Sequence, residues 1–401
     1  MLSTDVVVAG GGVAGLLIAS ALASKCSVVL LEQHDSLPRN KYWLTAEKAV
    51  RENPHLRTCI DKHYDFMDFV AYDGLAATVR GNYSLWDTEK LIGQLEQELT
   101  CRGGKILTGH TLYSFSLTRE AIIVRANSQA IRAKLLIDCM GVGSPIVGAK
   151  GIATIKGYYI LHGCEVALRS DVRPIGLDNV VINQRPAFFE LFPTSRGTAH
   201  TAIILPSRQY KPGRSIKSEL LFILKKSHYS EKIMWQPSGT QKSYFGIVPV
   251  GRLHTPALDR IVFFGEAGQT NPAASATGLT RMLLVYQQLA ESIEQCLKQN
   301  KLRRKDLLRA MPEYMSTMNR VFQEVLFESL LSFDSDDFRL LVQELKDYPA
   351  DIVNDLIFAE FKFRSGKALR LATDLLLRPQ GVLGHHILRS FARSFGARRL
   401  F

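Results

Sequence analysis

The segment Gly10-Gly11-Gly12-Val13-Ala14-Gly15 constrains this chain more than any other. Before it runs Val6-Val7-Val8-Ala9, short and continuously apolar, as suits a strand buried on both faces. After it come an Ala/Leu-rich helical stretch, Leu16 to Ser24, and a second apolar strand, Ser27 to Leu31, which ends at Glu32. Strand, G-x-G-x-x-G, helix, strand and acid stand in the order a dinucleotide site requires. Gly10 permits the tight turn, Gly12 lets the backbone approach a pyrophosphate, and Gly15 lets helix and strand pack closely. The positive end of the helix then faces the phosphates, and Glu32 can accept hydrogen bonds from a ribose diol.

A second glycine-containing stretch lies far along the chain. Arg260 to Phe264 reads as another buried strand and meets Gly265-Glu266-Ala267-Gly268-Gln269-Thr270-Asn271-Pro272. Thr277-Gly278 then opens a helix from about Leu279, whose N-terminus would stabilise negative charge. Between the two motifs, Leu135 to Gly141 is an apolar strand ending in Asp138-Cys139-Met140-Gly141, followed by Ser144-Pro145. Together these stretches resemble the FAD-dependent oxidoreductase superfamily that contains the aromatic hydroxylases, geranylgeranyl reductases, flavin halogenases and lycopene cyclases. The resemblance implies FAD as the cofactor. It implies binding by Gly10, Gly12, Val13, Ala14, Gly15, Glu32, Gln33, Gly141, Gly265, Glu266, Pro272, Thr277 and Gly278. Glu266 stands where the superfamily usually has Asp, one methylene longer with the same charge.

Further matches are closest to the lycopene-cyclase branch. Asn40-Lys41-Tyr42-Trp43 looks like the segment that follows the ribose acid there, and Trp86 to Leu91 looks like the start of a helix. Phe322 to Glu360 resembles the C-terminal helical region. The likeness breaks at Ala199-His200-Thr201-Ala202-Ile203, where the branch carries a Phe-x-Glu-Glu segment that protonates a polyene. No carboxylate stands there, so a cyclase needs a substitute acid.

The expected fold is α/β (α+β overall): a Rossmann-like FAD-binding domain, an inserted β-sheet substrate domain and a C-terminal helical region. Residues 1–150 and 249–298 would form the FAD-binding domain, 151–248 the substrate domain and 299–401 the helical region. Tyr158 to Leu168, Asn179 to Asn183, Ala187 to Phe192 and Ala199 to Leu205 read as strands. Period-2 geometry puts Phe188, Glu190 and Phe192 on one face. Glu190 is then either a pocket carboxylate that desolvation keeps protonated, or a solvent-facing residue of an edge strand. His200 is either a general acid or base, or a hydrogen-bonded structural histidine. Tyr244, Phe245 and Trp235 are candidates for the pocket lining or for plain core.

Composition adds bounds. The chain has 401 residues, 46% of them hydrophobic, and carries 50 Lys+Arg against 38 Asp+Glu, a net charge of +12. Residues 362–401 hold nine Lys and Arg against Asp374 alone, a net +8, so the rest of the chain is nearly balanced. In that tail Leu383, Ile387, Leu388, Phe391 and Phe395 fall on one helical stripe, with His385, Arg389 and Arg393 opposite. Such a stripe docks on the protein's own body, lids a greasy channel, or makes a peripheral membrane contact through 378–401. Without a nucleic-acid motif, charge alone does not indicate nucleic acid as a partner.

The six cysteines are scattered with no C-x-x-C pair, and the adjacent His385 and His386 point apart, so no metal site is expected. Ser3, Thr4 and Asp5 precede the first apolar helix, where a secretory signal would want Lys or Arg, and the expected location is cytoplasmic. The expected activity is a flavin-dependent monooxygenase, dehydrogenase or reductase acting on a lipophilic small molecule of polyene or isoprenoid type. The alternatives are a redox-neutral cyclase using reduced FAD, and a membrane-associated flavoprotein without turnover. With no second nucleotide-binding fold, reductant would come from transient NAD(P)H or a partner reductase. Oligomeric state is not readable.

Overall fold

A computed structural model describes residues 1–127, 129–182, 185–209, 216–226, 228–234, 243–314 and 317–360. Trp235, His385, His386 and the basic tail lie outside the described residues. The chain opens with strand β1 (Leu2–Ala9), helix α1 (Val13–Ala23) and strand β2 (Val28–Leu31). A hairpin follows, β3 (Ile60–Val70) and β4 (Ala76–Trp86), then helix α2 (Thr88–Cys101) and strands β5 (Lys105–Leu107) and β6 (Gln129–Asp138). Four strands come next: β7 (Ala153–Leu168), β8 (Ile175–Ile182), β9 (Arg185–Pro193) and β10 (Thr198–Ser207). Helix α3 (Ile216–Lys226), strands β11 (Ser243–Leu253) and β12 (Ile261–Phe263) and helix α4 (Gly278–Lys298) follow. The helices α5 (Thr317–Leu330), α6 (Ser335–Leu345) and α7 (Ala350–Ile357) complete this set.

Five parallel strands form the spine of the first sheet in the order β5-β2-β1-β6-β12. Numbered along the chain that order is 3-2-1-4-5, so the winding reverses between β1 and β6. A ligand crevice is expected at such a switch point, beyond the carboxyl ends of the strands. Val6, Val7 and Val8 are fully buried because helices cover one face of the sheet and an antiparallel ribbon covers part of the other. Almost every residue of α1 is buried, since it lies between that sheet and helices α2 and α4. Helix α2 starts where Asp87 accepts a hydrogen bond from the Lys90 N–H at 3.2 Å, and it buries Leu91, Leu95 and Leu99 along one stripe.

Among the described residues the second sheet has nine strands. Strands outside residues 151–248 belong to it too: β3, β4 and the short strand Leu44–Ala46 extend it through a parallel pairing of β8 with β3. Pairing across some hundred residues leaves no local mark on the sequence. Alternation then gives the sheet two faces. One packs on α3 through Ile160, Phe189, Ile203 and Leu220, and the other turns toward the first sheet and the C-terminal helices. Among the described residues no helix is long and apolar enough to cross a membrane.

Candidate functional site

A continuous cavity of about 1540 Å³ begins at the switch point of the first sheet and ends under the second. Ala9, Gly10, Gly12, Cys139 and Met140 line its near end, and Leu31, Glu32 and Gln33 lie alongside. Gly10 has φ +106°, where only glycine is relaxed, and a Cβ there would meet the Cys139 carbonyl oxygen at 2.5 Å. Gly12 differs: a Cβ would have no protein atom within 4 Å, so its backbone borders open space. Glu32 is buried and held in place from both sides, Oε2 accepting from the Gly11 N–H at 2.8 Å and Oε1 from the His34 N–H at 2.9 Å. These features fit the cradle that a dinucleotide's phosphates and ribose require.

The second motif arrives on the same wall. Gly265, at φ +68°, lets β12 turn so tightly that a Cβ would sit 2.5 Å from the Ala14 methyl. Glu266 lines the cavity beside Gly141, and burial raises its carboxyl above the ordinary value, opposed by Lys41. Thr277 and Gly278 also line the cavity, and α4 begins there with no side-chain cap on its first N–H groups. Asn271 packs so closely on Gly278 that any side chain at 278 would displace it. Of the expected cofactor residues, Gly15, Gly265 and Pro272 do not line the cavity. Gly15 and Gly265 act by allowing backbone to pack against its neighbour, and Pro272 shapes the loop, its carbonyl accepting from the Ala276 N–H at 2.9 Å.

The far end is apolar. From the second sheet come Tyr159, Leu161, Phe188, Phe192 and Ile204, and from the C-terminal helices Leu330, Phe338, Leu341, Val353 and Leu356. The resemblance implies helices over this stretch but not what they cover. They close over the cavity because Ser275 and Thr277 donate to the Ile357 carbonyl, Thr277 at 2.9 Å, and Gln323 donates to Leu356 at 2.7 Å.

Within this wall stands one carboxyl. β9 is an interior strand between β8 and β10, so Glu190 does not face solvent from an edge; it lines the cavity between Phe188 and Phe192. Tyr42 donates to Glu190 Oε2 at 2.6 Å. Desolvation pushes the Glu190 carboxyl up to about 7, the Tyr42 bond partly opposing it. Tyr42 and Tyr244 also line the cavity, and burial raises both phenols well above their usual value. Tyr42 was visible in the sequence only as part of a resemblance; nothing local announced that it would meet a residue 148 positions away. His200 does not line the cavity. It lies behind Tyr42, stacked on it at 5.1 Å between centroids, and desolvation lowers its pKa below the ordinary imidazole value. Phe245 sits at the mouth, 53% exposed. Cys139 borders the cavity, and burial raises its thiol well above the ordinary value, so it is no ready nucleophile.

A family model described as lycopene cyclase protein matches residues 5–360. The chain belongs to the lycopene cyclase family. No curated protein matches it. Among solved structures, a geranylgeranyl bacteriochlorophyll reductase-like protein from Thermoplasma acidophilum has 15% identity, covers 93% of this chain and 99% of its own, and gives a TM-score of 0.70. The halogenase PltM, solved in complex with FAD, has 13% identity over 99% and 97% of the two chains, with a TM-score of 0.64. A p-nitrophenol 4-monooxygenase from Pseudomonas putida has 16% identity over 95% and 99%, with a TM-score of 0.60. At such identities the likeness is one of fold. In this member of the lycopene cyclase family, the stretch Ala199–Ile203 lies on β10 without a carboxylate, and Glu190 stands directly across from Ala202 on β9.

Proposed function

We propose that this protein is an FAD-dependent oxidoreductase acting on an elongated lipophilic small molecule. The observation that carries the reading is the continuity of the cavity. At about 1540 Å³ it runs from the Gly12 and Glu32 cradle to the Phe188 and Phe338 wall, and it exceeds the ~300–1,000 Å³ of an ordinary ligand pocket. That leaves room for a second molecule beside a dinucleotide. FAD is the cofactor, and Gly10, Gly12, Glu32, Gly141, Glu266 and Gly278, which line the cavity, would hold it. When bound, it supplies redox chemistry that side chains cannot. The chain's own residues bind the apolar partner, exclude water beneath the C-terminal helices, and present one exchangeable proton at Glu190. The purified protein should take up FAD stoichiometrically, and turnover of a lipophilic substrate should consume oxygen or another acceptor. Failure to acquire a flavin spectrum after adding FAD would sink the reading.

A second reading has its own support. Glu190 is a carboxyl of raised pKa inside an apolar wall, which is the substitute acid a redox-neutral cyclase or isomerase needs. Under it, anaerobic enzyme with reduced flavin converts a polyene without flavin reoxidation, and Glu190→Gln abolishes that conversion while retaining FAD.

A further inference from the structure

The polar atoms around Glu190 are arranged on one side only. Its Oε2 accepts from the Tyr42 hydroxyl, while Oε1 has no hydrogen-bond partner among the described residues. Tyr42 reaches this position from the loop after β2 and is fixed by three rings. Phe192 lies at 5.8 Å in a tilted contact, His200 at 5.1 Å nearly parallel, and Tyr244 at 5.6 Å edge-on. Its hydroxyl oxygen also accepts from Tyr244, whose single proton is shared with the Thr201 carbonyl at 3.3 Å. The titratable groups facing the carboxyl are thus Tyr42 directly, Tyr244 through it, and His200 behind the Tyr42 ring.

We propose that Tyr42 is a positioning residue that aims the proton of Glu190 into the cavity. The inference rests on the reading of Glu190 as a proton donor. A neutral carboxyl that accepts through one oxygen carries its proton on the other. With Tyr42 donating to Oε2, that proton sits on Oε1. When it leaves, the carboxylate keeps a charge-assisted hydrogen bond from Tyr42, so the same contact aims the acid and steadies its conjugate base. His200 and Tyr244 act one step further out, by holding the Tyr42 ring.

The test is infrared spectroscopy of the full chain across about pH 5–9, with no substrate required. In the wild type a protonated-carboxyl band should be present and should disappear in Glu190→Gln. In Tyr42→Phe, which keeps the ring contacts, that band should move and its titration midpoint should rise by about one pH unit, because the carboxylate has lost its donor. Tyr244→Phe, a second variant should Tyr42→Phe fail to fold, should move the midpoint the same way by less. An unmoved band and midpoint in a folded Tyr42→Phe overturns the proposal and leaves the Glu190 reading standing. A wild-type spectrum with no band sensitive to Glu190→Gln overturns the reading itself.

Discussion

A Cβ placed on Gly15 would lie 1.9 Å from the carbonyl oxygen of Gly10. Helix α1 and the turn before it therefore touch backbone to backbone, and this contact sets how far the helix end stands from the ligand crevice. Gly12, three residues earlier, borders open cavity instead.

The two glycines should fail differently. Gly15→Ala forces the turn away from α1 and should cost about 1–3 kcal/mol of stability along with flavin binding. Gly12→Ala should fold with an unchanged apo melting temperature yet lose FAD affinity at least tenfold, since its methyl occupies ligand space. Gly148→Ala, with nothing within 4 Å of the new Cβ, serves as the control for both. Thermal melts with and without FAD separate the outcomes.

Glu266 should be replaceable by aspartate but not by alanine. Glu266→Asp keeps the charge on the cavity wall and should retain FAD. Glu266→Ala removes it and should weaken binding by about 10–100-fold, the worth of one charge-assisted hydrogen bond. Fluorescence titration of apoprotein with FAD measures this directly.

Asp138 links stability to pH. It is completely buried at the end of β6, accepting from Ser144 at 2.5 Å and from the Met140 N–H at 3.0 Å, and burial pushes its carboxyl up to about 6. Between the ordinary carboxylate value and about 6, the folded state holds a proton that the unfolded chain has released. The contribution is complete below about pH 4 and is lost as pH rises through 6, by about 3 kcal/mol in all. Asp178, also raised to about 6, acts in the same direction. Urea unfolding at about pH 5 and pH 7 should show the decline, and Asp138→Asn should flatten part of it without flattening the share of Asp178.

Asn354 ties the cavity roof to the second sheet. It donates to the Arg80 carbonyl at 2.8 Å and accepts from the Tyr83 hydroxyl at 2.5 Å. Asn354→Ala leaves the buried Tyr83 hydroxyl only its long 3.5 Å contact with the Val79 carbonyl, a cost of about 1–3 kcal/mol, and loosens α7. Flavin content should stay normal while an apolar fluorescent probe binds the cavity several-fold more weakly.

The sequence by itself determined the local half of this protein. The buried strand at Val6 to Ala9, the positive-φ turns at Gly10 and Gly265 and the helix starts at Val13 and Gly278 follow from the sequence because each is dictated by residues a few positions apart. Period-2 alternation likewise put Phe188, Glu190 and Phe192 on one face, and that face does line the cavity. Tertiary structure alone decided the rest. The hairpin β3–β4 joins the second sheet by pairing Asp68 and Phe69 with residues over a hundred positions away. Tyr42 meets Glu190, and the stripes of α5 to α7 choose the cavity as their cover. A strand edge, a phenol and an apolar stripe each accept many partners, so their assignment depends on loop closure and shared burial across the whole chain, which no local pattern encodes.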